Sequence, residues 1–140
     1  MKAITLWEPW ATAMALGIKH NETRSWPTNY RGELAICAAK RPLDEIGRLL
    51  CADLDVGIDV LSFGCVLCVV KLQGCQPADL FINGTFALSG AEELCGNYTT
   101  GRWVWMTDGL RALRSPVPVI GRQGLFNLPA DIESKVLAQL

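Results

Sequence analysis

Gly17-Ile18-Lys19-His20-Asn21-Glu22-Thr23-Arg24-Ser25-Trp26 is the stretch on which the reading of the chain turns: a lysine, a carboxylate and an arginine fall within six positions, closed by a tryptophan and Pro27. On its N-terminal side Trp10, Ala13, Met14 and Gly17 recur at i, i+3, i+4 and i+7 after Glu8-Pro9, which predicts a short amphipathic helix that Gly17 ends in a left-handed cap. On its C-terminal side Glu22 to Trp26 reads as a strand, 27–32 as a connection, and Glu33 to Ala39 as an apolar strand. The charged groups therefore lie between two packed elements. Residues 22 and 24 share one side of a strand, and Lys19 joins them if the turn at His20 and Asn21 bends that way. Two outcomes fit this spacing. One is a site with a cation for a carbonyl or phosphate oxygen, a carboxylate for proton transfer and a guanidinium for bidentate recognition. The other is a salt-bridge ladder on an edge strand.

Working outward, Lys2 to Leu6 alternates as a strand, and Leu43 to about Leu54 reads as a helix burying Ile46, Leu49, Leu50 and Asp53. Gly64 to Leu72, dense in valine, leucine and cysteine, is the strongest strand and is expected at the centre, buried on both faces. Gly74 to Gly90 is loop-rich and reads as a lid over a pocket, and Ala91 to Cys95 as at most one helical turn. Gly101 to Met106 alternates, with Trp103 and Trp105 on one face. The prolines of Ser115 to Ile120 confine that segment to a sheet edge or a strand start. A turn at 121–124, a short strand at 125–128 and a helix from Pro129 complete the chain. Short strands outnumber helices and do not form regular βαβ units, so the expected fold is α+β: a small mixed β-barrel flanked by two to three helices, one domain over residues 1–140.

Composition narrows the function. Half of the 140 residues are hydrophobic and 19% are charged, which excludes a disordered chain. The longest apolar run, Cys65 to Val70, is too short to span a bilayer, and no secretory n-region and h-region open the sequence, so a cytoplasmic protein is expected. The six cysteines then read as free thiols among apolar neighbours. The one C-x-x-C, Cys65 and Cys68, is expected to point to opposite faces of its strand. His20 is the only histidine, which leaves no metal shell, no Ser-His-Asp system and no Cys-His system to assemble; there is also no Walker or dinucleotide loop. No metal and no cofactor are expected. The net charge of −1 is too small for a protein that lives on phosphate neutralisation along a duplex, so any nucleic-acid contact is expected to be local. Of the five tryptophans, Trp10 and one of Trp103 and Trp105 read as core, whereas Trp7 and Trp26 adjoin the charged motif and are candidates to stack a base.

Leu6-Trp7-Glu8-Pro9-Trp10-Ala11, Gly17-Ile18-Lys19 with Glu22-Thr23-Arg24-Ser25-Trp26, Tyr30-Arg31-Gly32, and Leu34-Ala35-Ile36 with Ala38-Ala39-Lys40 together resemble the ASCH domain family. Gly96-Asn97-Tyr98, Gly101-Arg102-Trp103-x-Trp105 and Gly121-Arg122-Gln123-Gly124-Leu125 extend the likeness over nearly the whole chain. The resemblance implies a PUA-like β-barrel with a cleft beside the first helix, lined by the Lys, Glu and Arg of a Gly-x-Lys-x-x-Glu-x-Arg signature. It also implies an association with RNA and with transcription coactivation, and in some small bacterial relatives hydrolysis of acylated cytidine or cleavage of RNA. Carried over by position, Lys19, Glu22 and Arg24 are the cleft residues. Cys37 stands where the family often has histidine. Threonine, the nucleophile of the amide-hydrolysing relatives, is replaced by Glu22, with Thr23 one residue out of frame. The leading expectation is a cleft that binds RNA, a nucleotide or a modified nucleoside through Lys19, Glu22, Arg24, Trp26 and Trp7, with Glu92 and Glu93 as further acids. The alternative is a metal-independent hydrolase of N-acylated nucleosides or RNA using Lys19 as base, with Glu22 or an acid of Glu92-Glu93 as proton carrier.

Overall fold

A computed structural model describes residues 1–140. In chain order the elements are β1 (Lys2–Leu6), α1 (Trp10–Ala15), β2 (Asn21–Arg24), β3 (Gly32–Ala38), α2 (Glu45–Leu54), β4 (Cys65–Pro77), α3 (Asp79–Ile82), α4 (Gly90–Cys95), β5 (Trp103–Pro118), β6 (Phe126–Asn127) and α5 (Ala130–Leu137). The six strands form one sheet in the order β2-β5-β4-β3-β1-β6, antiparallel except for the parallel pair of β1 and β3. The sheet curls into a half-barrel, and the α+β class read from the sequence holds. Five helices flank it rather than two or three, because three of them are only four to six residues long. No helix is long and apolar enough to cross a membrane.

Alternation along the strands sorts side chains into two cores. Ile4, Leu6, Leu34, Ile36, Val70, Leu72 and Trp105 face α1, while Ala3, Ala35, Cys37, Val66 and Val69 face α5 and the 119–128 segment. β4 is buried on both sides from Cys65 to Val70, as its composition predicts. Each fully buried aliphatic side chain here contributes roughly 1.5–3 kcal/mol. The curl comes from three irregularities in the pairing of β4 with β5 and one between β3 and β4.

Those bulges overturn two expectations. Register slips near Leu67, so parity along β4 changes, and Cys65 and Cys68 both face the α1 core instead of opposite sides. The two segments read separately around residues 101–106 and 115–120 are one 16-residue strand, β5, whose bends absorb the change of direction. Pro116 and Pro118 lie beyond the stretch of β5 that pairs with β2, so the edge position expected for them is observed.

Three other differences are local. α2 buries Gly47, Leu50 and Cys51 and leaves Ile46 and Leu49 in water, one residue out of phase with the predicted stripe. A side chain at Gly47 would meet the Glu8 carbonyl at 3.2 Å, so close approach of backbones at the glycine, rather than hydrophobicity, sets the helix rotation. Residues 74–77 extend β4 by pairing with β5. The rest of the segment read as a lid packs Phe81 against Phe86 and Tyr98, beside Val104, and does not line the main cleft.

Candidate functional site

Gly17 (φ 75°) ends α1 as expected. Ile18 N–H reaches back to Ala13 O at 2.9 Å and Gly17 N–H to Met14 O at 3.1 Å, the paired bonds of a left-handed helix cap. The cap reverses the chain, and Lys19 turns inward. Its side chain is fully buried; the ammonium lies 3.1 Å from Glu22 Oε1 and donates to the Asn21 carbonyl. Glu22 Oε2 takes Arg24 Nη2 at 3.2 Å, and the same Nη2 donates to Thr5 O at 3.4 Å. A Lys-Glu-Arg ladder therefore runs from the turn after α1 onto β2, with both carboxylate oxygens engaged. Antiparallel pairing places Glu22 opposite Trp105 and Arg24 opposite Trp103, and the Arg24 guanidinium lies 5.9 Å from the Trp105 ring centre. Arg24 Nε is buried without a partner.

The ladder has two sides. Glu22 and Arg24 line an open cleft of about 1090 Å³, whereas Lys19 borders a separate cavity of about 150 Å³ with His20 and Asp108. Lys19, expected from the sequence to meet a ligand, follows the left-handed cap and lines the small cavity and not the cleft, with its ammonium against Glu22.

Glu92 and Glu93, the further acids of the sequence reading, lie on α4. Glu92 is buried and accepts His20 N–H at 2.7 Å and Asn21 N–H at 3.3 Å, so it caps the turn that carries the motif. Glu93 is exposed, and neither acid lines the cleft. The two tryptophans singled out do line it. Trp7 stands 54% exposed at the rim. Trp26 packs edge-on to Trp105, with ring centres 4.8 Å apart at 84°, and its carbonyl accepts from Trp105 Nε1 at 3.2 Å. Trp105 is the fully buried member of its pair, and Trp10 is half-buried between α1 and the cleft. Thr23 accepts the Asn97 amide at 3.0 Å. Cys37 lies in the opposite core, where burial pushes its thiol up to about 12, so it takes no part in the cleft.

Three cations complete the lining that the sequence reading left unassigned. Lys40 follows β3 and crosses Gly64, which has no side chain to obstruct it. Arg102 donates to Thr23 O at 3.2 Å and Asn97 O at 3.1 Å, joining β2 to the connection before β5. Arg122 sits on the loop before β6; its amide donates to Thr5 Oγ1 at 3.2 Å, and a side chain at Gly121 would come within 2.9 Å of Thr5. Their signal in the sequence was that each sits in a segment carrying the family resemblance: Ala38-Ala39-Lys40, Gly101-Arg102-Trp103 and Gly121-Arg122-Gln123. With Arg24, the cleft holds four cationic side chains and one carboxylate, Glu22.

Comparison with known proteins agrees with this architecture. A family model described as ASCH domain matches residues 4–106. No curated protein matches in sequence. Among solved structures, an ASCH protein from Zymomonas mobilis superposes with a TM-score of 0.61 at 15% identity over 98% of this chain and 93% of that one. A tyrosine-to-phenylalanine mutant of the Zymomonas mobilis protein gives 0.60 at 17% identity, over 98% and 96% of the two chains. These likenesses concern the fold. With the family match spanning β1 through the first part of β5, the chain belongs to the ASCH domain family.

Proposed function

We propose that the cleft binds single-stranded RNA, with one nucleotide as its smallest ligand. One observation carries the reading: a protein of net charge −1 concentrates four cations against one carboxylate in a cleft that also presents indole rings. Cations that follow a backbone and aromatic faces that accept bases are what single-strand readers combine. Arg24 and Arg102, fixed by their carbonyl and carboxylate partners, orient their remaining N–H groups; Lys40 and Arg122, exposed at the rim, meet phosphates as mobile charges. Glu22, held by Lys19 and Arg24, is the acceptor for a base amino group. Hydrolysis of an N-acylated nucleoside or of RNA by Lys19 and Glu22 has weaker support, since the ammonium is enclosed away from the cleft and the carboxylate is committed to two cations.

The test is a fluorescence-anisotropy titration of a labelled RNA octamer at several salt concentrations. Wild-type protein is expected to bind with a log–log salt slope of about −0.7 for each phosphate contact, and Arg122→Ala to lose about one such contact. Equal affinity in wild type and an Arg24→Ala/Arg122→Ala double variant refutes the reading.

A further inference from the structure

Trp7 is held in a way its neighbours at the cleft are not. It follows β1 directly and exposes 54% of its surface. Yet one face is covered: the Arg41 guanidinium carbon lies 3.7 Å from the ring centre, a stacking distance. Arg41 does not line the cleft and Trp7 does, so the indole keeps surface open to the cleft while Arg41 covers one face. Arg41 is itself tethered. Its Nη2 donates to Asp44 Oδ2 at 3.0 Å, while Asp44 Oδ1 accepts Gly47 N–H at 2.8 Å as the N-cap of α2. The N-terminus of α2, Asp44, Arg41 and Trp7 thus form a continuous brace behind one indole.

The magnitudes say what the brace is for. An exposed cation stacked on an indole contributes about 0.5–1 kcal/mol, and an exposed Arg–Asp pair about 0–1 kcal/mol, so the fold gains little from either. What the brace does supply is a planar cation biasing the plane of a ring that is half-exposed at the rim. Trp26, by contrast, is oriented by Trp105, and Trp10 by its packing in the core. A cation on one face also draws π-density from the indole, and the open face then stacks best on an extended, electron-rich ring. Stacking further grows with overlapped area. Both effects favour a purine over a pyrimidine.

We propose that Trp7 and Arg41 form a purine-stacking subsite of the cleft, with Trp7 supplying the face and Arg41 acting through it as a positioning residue. The subsite rests on the RNA reading above. It requires of Arg41 a planar guanidinium, not merely a positive charge, and lysine at that position separates the two.

Anisotropy titrations of wild type, Arg41→Lys, Arg41→Ala and Trp7→Ala with an oligo(A) octamer, an oligo(U) octamer and an abasic ribose-phosphate octamer test it. Wild type is expected to prefer oligo(A). All three variants are expected to lose roughly five- to tenfold on oligo(A), bringing it near oligo(U), with abasic binding and the salt slope unchanged. Full retention of oligo(A) affinity in Arg41→Lys makes Arg41 a phosphate contact and overturns the subsite alone. So does equal wild-type affinity for oligo(A) and oligo(U). If wild type binds none of the three, abasic included, the RNA reading fails and the subsite with it.

Discussion

Lys19→Met separates a prop from a ligand contact. Methionine nearly matches the lysine stem in volume, so the change removes the charge and leaves the packing. In the wild type the ammonium sits 3.1 Å from Glu22 Oε1, with its side chain fully buried and that of Glu22 12% exposed. Removing one partner of a buried pair costs about 3–5 kcal/mol, because the remaining charge is left uncompensated. Glu22 keeps Arg24 at 3.2 Å, which places the cost at the lower end, about 3 kcal/mol. With an unfolding entropy of about 2.1 cal/mol/K per residue over this chain, that loss corresponds to roughly a 10 °C fall in Tm. Calorimetry or circular dichroism measures the fall, and anisotropy at about 15 °C measures RNA affinity in the folded variant. The expected pattern is a large drop in Tm, an affinity change below about threefold and an unaltered salt slope. A Tm within about 2 °C of wild type refutes the argument that Glu22 leans on Lys19. Loss of one phosphate equivalent from the slope instead makes Lys19 a ligand contact.

Two further outcomes probe the frame of the site. Glu92→Ala strips the acceptor from the His20 and Asn21 amides and is expected to cost about 2–3 kcal/mol in urea unfolding, whereas Glu93→Gln, on the exposed side of α4, stays within about 0.5 kcal/mol; equal effects of the two would remove Glu92 from its capping role. Glu8 is buried and accepts from Thr12 and Ser62; burial raises its carboxyl above the ordinary 4.5 and outweighs those hydrogen bonds. The native state then keeps a proton that the unfolded chain releases, so this residue's contribution to stability is full below pH 4.5 and declines as pH rises through the native-state pKa. Urea midpoints of wild type are expected to fall relative to Glu8→Gln over that window, and parallel profiles would contradict the burial argument.

The motif at residues 17–26 illustrates how far local pattern reaches. Helix periodicity located α1, and Gly17 its cap. The two-residue period of β2 put Glu22 and Arg24 on one side, where they flank the cleft and also form the ladder that the competing reading foresaw. The ladder is observed; the role of Glu22 and Arg24 in holding a ligand is the proposal made for the cleft. Local pattern was also enough for the central β4 and for the edge position of Pro116 and Pro118, because each follows from the repeat of one element or from the chemistry of one residue.

Tertiary structure alone decided the rest, and the reasons are geometric. The direction taken by Lys19 depends on two turn residues whose conformation Glu92 fixes from 72 positions away. The shared face of Cys65 and Cys68 depends on a bulge that inverts strand parity, and the rotation of α2 on how closely Gly47 lets it approach Glu8. The cationic character of the cleft depends on bringing Arg24, Lys40, Arg102 and Arg122 from four separate segments around Thr5 and β2, in a chain whose overall charge is nearly neutral. Periodicity fixes which way a side chain points from its own element; which elements meet, and what charge they gather where they meet, is settled only when the sheet curls.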